Sequence, residues 1–175
     1  PCVVALGETG LDYHRENTQK ELQQQRFRQH IRAAIAVNKP LIVHTRAARE
    51  DTLRILKEEG AQQVGGVLHC FTEDLGMAEA AIKENNFYIS FSGILTFKNA
   101  ADLKAIAQTL PLERLLIETD APYLAPHPFR GKPNQPAYVR YVAKCLAELR
   151  DCSLDEIAEQ TTNNFLTLFK QARRD

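Results

Sequence analysis

Short apolar runs alternate along this chain with longer stretches whose apolar residues recur at helical spacing, the pattern of a parallel α/β architecture. Five such units are legible. The run at 2–7 is the first strand. Thr18-x-x-Glu21 is a capping-box signature, which opens a helix carrying Phe27, Ile31, Ala34 and Ile35 on one face and ending before Pro40. Pro40 biases Lys39 towards extended geometry, so Leu41-Ile42-Val43 reads as the second strand. A helix over roughly 48–59 follows, closed by Gly60. Val67-Leu68 is the third strand, and a helix runs around 77–84. From Phe87 to Ser92, Phe87, Ile89 and Phe91 alternate with Tyr88, Ser90 and Ser92, which predicts a strand with one apolar and one polar face. Helical spacing near 102–108 leads to Leu115-Leu116-Ile117 as the fifth strand, and the tail from about 135 to 172 reads as wholly helical. Between 121 and 136 lies one long irregular stretch rich in proline, a length of loop that in compact domains usually carries function or is disordered.

Composition changes this picture little. The 175 residues are 44% hydrophobic and 25% charged, ordinary for a globular domain, and no repeat or composition shift marks a second one, so residues 1–175 are expected to form one domain or part of one. Lys plus Arg and Asp plus Glu are both 22, so any contact with nucleic acid must be local rather than a global basic field. The 4 cysteines form no C-x-x-C pair and no secreted disulfide framework. No apolar stretch reaches the roughly 20 residues of a membrane span, and the expected location is the cytoplasm.

The chemistry sits at the strand ends. Glu8 follows Ala5-Leu6-Gly7, His44 follows Leu41-Ile42-Val43, His69 follows Val67-Leu68, and Asp120 closes the run from Leu115 to Thr119. In a parallel sheet those ends lie on one side, where barrel active sites are built. Residues two apart share a face of a strand, which pairs Leu6 with Glu8, Ile42 with His44, Val67 with His69, and Leu116 with Glu118 and Asp120. Two histidines with two or three carboxylates are a competent ligand set for one or two divalent ions, Mg²⁺, Mn²⁺ or Zn²⁺. A lone histidine at a strand end is more often a satisfied polar group than a ligand, but four metal-capable residues at corresponding ends are hard to dismiss. His30 reads as a surface residue of a helix, His14 as loop surface or substrate-facing, and His127 as either a substrate contact or plain loop. Arg46, two residues past His44, is placed to reach a phosphate, and Arg130 and Lys132 are further loop cations. Each is equally well read as a solvated surface charge. No phosphate-cradling glycine loop, nucleophile elbow or Cys/His nucleophile is present.

The motifs Gly7-Glu8-Thr9-Gly10-Leu11-Asp12, Val43-His44-Thr45-Arg46, Leu68-His69-Cys70-Phe71, Glu118-Thr119-Asp120-Ala121-Pro122-Tyr123-Leu124 and Arg130-Gly131-Lys132-Pro133-Asn134, in this order, resemble the TatD family of metal-dependent deoxyribonucleases through nearly the whole chain. The resemblance implies a TIM (β/α)₈ barrel of the metal-dependent hydrolase type, here about its last five β/α units. It also implies Glu8, His44, His69 and Asp120 as metal ligands, and hydrolysis of DNA phosphodiesters, often from a 3′ end. The family begins with a strand ending in His-x-His, and this sequence has none, so the chain is expected to lack N-terminal strands and part of one metal subsite. On this reading Asp120, with Glu118 as second choice, takes the proton from the attacking water, and Arg46, Arg130 and Lys132 hold phosphates. DNA is then the expected partner, and open sheet edges are expected to make the truncated chain self-associate. The competing readings are a related barrel hydrolase of small amides, lactones or phosphoesters, and a non-catalytic barrel fragment.

Overall fold

The computed structural model describes residues 3–14 and 19–172. The expected capping box at Thr18 lies outside these residues. Five parallel strands, β1 (Leu6–Asp12), β2 (Leu41–Arg46), β3 (Gly66–Leu68), β4 (Phe87–Phe91) and β5 (Leu115–Ile117), lie side by side in the order β1-β2-β3-β4-β5. Helices α1 (Lys20–Ala36), α2 (Arg49–Glu58), α3 (Leu75–Asn85) and α4 (Ala101–Thr109) connect them, and α5 (Val139–Arg150) and α6 (Leu154–Leu168) follow β5. Sequential order throughout is the progression of a (β/α) barrel, whereas a doubly wound sheet reverses at a switch point.

Period-two alternation divides the strands between two apolar clusters. Leu41, Val43, Leu68, Phe87, Ile89, Phe91 and Leu115 face the helices and join Phe27, Ile31, Ile55, Met77 and Ile106 in the main core. Ile42, Val67, Tyr88 and Leu116 face the other way and pack with Leu168 and Phe169 from the chain's end. Each side chain of this size stabilises by about 1.5–3 kcal/mol when fully buried, so both faces of the sheet hold it together. The two faces of β4 alternate as expected, and the one carrying Tyr88 and Ser90 is covered as well, leaving them 6% and 3% exposed. Parallel strands are covered on both faces for the same reason.

Two boundaries also differ from the sequence reading. The tail is two helices, broken at Asp151 (φ 52°) and restarted by a complete capping box between Ser153 and Glu156. The first strand is β1 at Leu6–Asp12 rather than 2–7, so Glu8 lies inside it. The expected stop at Gly60 holds, left-handed (φ 73°) after α2; α3 opens at Asp74, whose carboxylate accepts the Met77 N–H, a cap the sequence reading did not name. Among the described residues no helix is long and apolar enough to cross a membrane.

Candidate metal centre

The inner-face alternation that places Ile42, Val67 and Leu116 in the interior carries on to the C-terminal ends of the strands as His44, His69 and Glu118. On β1 the alternation breaks. Leu6 and Leu11 both pack against the helix-side core although they are five residues apart, and the β1–β2 register shifts between Leu6 and Thr9. Beyond that bulge Thr9 pairs with Val43 and Gly10 with His44. Leu6 and Glu8 therefore do not share a face, as alternation had predicted; the bulge turns the Glu8 carboxylate towards the two histidines.

Glu8 Oε1 lies 3.4 Å from His44 Nδ1 and 3.0 Å from His69 Nε2, and the two imidazole centroids are 5.7 Å apart. Glu8, His44 and His69 each offer one atom to a group whose members are all within 4.8 Å of one another. The remaining ring nitrogens are occupied: His69 Nδ1 is 3.2 Å from Glu118 Oε1, and His44 Nε2 is 3.3 Å from Asp12 Oδ2. His69 Nε2, by contrast, is buried and makes no hydrogen bond, its approach to Glu8 being close but not directed along one. Buried polar atoms are rarely left so. Once its proton is lost, Nε2 aims a lone pair at a point shared with an imidazole and a carboxylate, the donor set a divalent cation takes, so these residues fit a bound ion.

The electrostatics agree. Burial of the His69 ring disfavours its charge, but Glu118 and Glu8 outweigh this and push its pKa up to about 9. Asp120 follows β5 in a left-handed conformation (φ 57°), beside the triad rather than within it. Burial, then the neighbouring Glu118 charge, raises its carboxyl above the usual range, while His69 and His44 oppose this. Burial also pushes the Cys70 thiol up to about 12, leaving a neutral donor to Ser92 Oγ. A buried Asn134 fixes the loop around Asp120, donating from Nδ2 to the carbonyls of Thr119 and Tyr123 at 2.7 Å each.

The expected phosphate contacts are more dispersed. Arg46 ends β2, exposed, with its charge felt by Asp12. Arg130 lies over the Phe97 ring at 3.6 Å, and Lys132 is exposed in the same loop. His30 sits exposed on α1 with Nδ1 on the Arg26 carbonyl, and His14 and His127 are exposed. A cavity of about 910 Å³ runs from His69 and Glu118 along the inner face past Ile42 and Leu116, bounded by Ala143 and Phe165. Sequence reasoning gave no role to Asp12 or Asn134 although both stand in quoted motifs. Asp12 is four residues past Glu8, hence on the same face of a strand, and that spacing was the available signal.

Residues 1–170 match the family model of the TatD related DNases. The chain belongs to the TatD-related DNase family. Over 168 residues it is 52% identical to the Bacillus subtilis protein named uncharacterized metal-dependent hydrolase YabD, covering 96% of this chain and 66% of that protein. A protein of Erwinia amylovora named 3′-5′ ssDNA/RNA exonuclease TatD is 35% identical over 97% of the chain and 67% of its own length. The crystal structure of YjjV, a TatD homolog from Escherichia coli, superposes with a TM-score of 0.91 at 35% identity, covering 97% of this chain and 65% of that one. The fold is TIM-barrel-like, and the chain spans just under two thirds of the length of YabD and YjjV.

Proposed function

We propose that this chain carries the catalytic face of a divalent-metal-dependent nuclease that hydrolyses DNA phosphodiester bonds from the 3′ end. The observation that supports it best is the convergence of Glu8, His44 and His69, beside Glu118 and Asp120, at the C-terminal edge of a parallel sheet. The name of the Erwinia amylovora relative supplies the substrate class. We read residues 1–175 as a single barrel-type domain with its site on that edge.

In this reading Glu8, His44, His69 and Asp120 hold one or two ions. A divalent cation supplies Lewis-acid polarisation and neutralises charge that develops on a transferring phosphoryl group. Asp120, held by the loop that Asn134 ties down, accepts the proton of the attacking water. Glu118 keeps the proton on His69 Nδ1 and stands as the alternative base. Arg46, Arg130 and Lys132 take the phosphates flanking the scissile bond. The guanidinium of Arg130, stacked on Phe97, retains its in-plane donors for a bidentate contact. Because Lys plus Arg and Asp plus Glu balance at 22 each, affinity for DNA must come from such local contacts.

The test offers the protein 5′-labelled single-stranded DNA in parallel with a panel of small lactones, amides and phosphoesters, each with Mg²⁺, Mn²⁺ or Zn²⁺. A ladder shortening from the 3′ end, abolished by chelator, is expected. Turnover of the panel alone refutes the nuclease reading in favour of a small-molecule hydrolase. We also infer that the chain self-associates, since among the described residues β1 and β5 each have one strand neighbour and the inner-face cavity is largely apolar. Size-exclusion chromatography with light scattering checks this, and a monodisperse monomer overturns it.

A further inference from the structure

Asp12 is the last residue of β1 and takes no part in the ligand set. Its surroundings are nonetheless fully specified. Oδ2 lies 3.3 Å from His44 Nε2, and Oδ1 accepts the His14 N–H at 2.9 Å. The Asp12 backbone is gripped at both polar atoms by one side chain of α1: its N–H donates to Gln23 Oε1 at 2.8 Å, and its carbonyl accepts from Gln23 Nε2 at 3.0 Å. The Gln23 amide thus continues the hydrogen bonding of β1 where the strand leaves the sheet, and it fixes the backbone from which the Asp12 carboxylate extends.

We propose that Asp12, held by the two-point grip of Gln23, is a positioning residue that sets the tautomer and ring orientation of His44, so that Nδ1 faces the ion site. A neutral imidazole has one donor and one acceptor nitrogen, and an ionised carboxylate only accepts. With Asp12 on Nε2, the proton resides there, and the Nδ1 lone pair is left towards Glu8 Oε1. His69 has the mirror arrangement: Glu118 holds the proton at Nδ1, and Nε2, which has no hydrogen-bond partner, faces the site and is free to bind once its own proton is lost. The two histidines come from adjacent strands and must reach one point, so they present opposite nitrogens, and each needs its own carboxylate to select the tautomer. Groups behind metal ligands act in this way and typically change affinity by about 10–100-fold when altered. The inference rests on the reading of Glu8, His44 and His69 as an ion site.

The experiment labels the protein with ¹⁵N-histidine and records long-range ¹H–¹⁵N spectra of the metal-free chain at a pH where His44 is neutral. Zn²⁺ and Mn²⁺ titrations by calorimetry follow. The parent is expected to show His44 with its proton on Nε2. In Asp12→Asn the new amide can donate to Nε2, so the proton is expected to move to Nδ1 and the Kd for Zn²⁺ to rise about 10–100-fold. Asp12→Glu should restore the parent tautomer in part, and Gln23→Ala should weaken Zn²⁺ binding less than Asp12→Asn does. A parent spectrum with the His44 proton on Nδ1 overturns the proposal, whatever the variants do. So does an Asp12→Asn chain, melting as the parent melts, whose tautomer and Kd are unchanged. Neither readout involves nucleic acid, so a chain that behaves as expected here but leaves DNA intact sinks the nuclease reading alone.

Discussion

Gly10 is where strand packing and the candidate metal centre are most tightly joined. Its φ is +138°, a region that side-chain-bearing residues rarely adopt, and a Cβ built there meets the His44 carbonyl oxygen at 1.9 Å and the carbonyl carbon at 2.9 Å. Gly10 and His44 are register partners, so the Gly10→Ala methyl presses directly on the backbone that carries a ligand. The backbone strain costs about 1–3 kcal/mol. Overpacking of a close-packed interior adds about 1–3 kcal/mol, because here the obstacle is backbone and not the end of a flexible side chain. Gly131→Ala is the matched control: Gly131 also has positive φ (+81°), but a Cβ there meets nothing within 4 Å. It bears strain alone, about 1 kcal/mol in an exposed loop. In a chain of this size each kcal/mol moves Tm by about 2–4 °C, so Gly10→Ala should melt on the order of 10 °C lower and Gly131→Ala only a few degrees lower. Differential scanning calorimetry reads the gap, and Zn²⁺ titration of the variants should show weakened binding for Gly10→Ala only. If the two variants melt together and bind Zn²⁺ equally, the β1–β2 contact at Gly10 does not govern His44.

Three further outcomes are expected. Asp120→Asn should lower kcat on single-stranded DNA by about 10²–10⁴-fold, the range for a lost acid–base group, with circular dichroism unchanged; parent-level turnover removes Asp120 from the chemistry. Arg46→Ala should raise KM with kcat little changed, and should flatten the slope of log K against log salt by about 0.7 for each lost phosphate contact to a single strand; an unchanged slope excludes a phosphate role. Metal-free His69 holds its proton up to about pH 9, so ion binding should release a proton and tighten by about tenfold per pH unit from pH 7 towards 9, visible as a buffer-dependent calorimetric enthalpy; flat affinity over that range refutes the arrangement. The folded pKa of His69 is raised above its ordinary value of 6.5, so its contribution to metal-free stability should be full below pH 6.5 and lost as pH rises through about 9.

The sequence by itself determined the number and order of the β/α units, because buried parallel strands and amphipathic helices have different hydrophobic periods and Pro40 and Gly60 punctuate them. It also determined that His44, His69, Glu118 and Asp120 lie at one end, since parallel strands all finish on the same side. What it left open follows from interactions between segments distant in the chain. Alternation counted from Leu6 put Glu8 on that residue's face, and only the β1–β2 pairing, with its bulge between Leu6 and Thr9, decides that Leu6 meets the helices while Glu8 meets the histidines. The burial of the Tyr88 and Ser90 face of β4 was not legible because burial depends on what covers a strand, here Leu168 and Phe169 some 80 residues further on, as well as on its own pattern. Which carboxylate meets each histidine was decided only in three dimensions: Asp12 beside His44 ends β1, Glu118 beside His69 follows β5, and the unpartnered His69 Nε2 exists only once these segments and β3 are brought together.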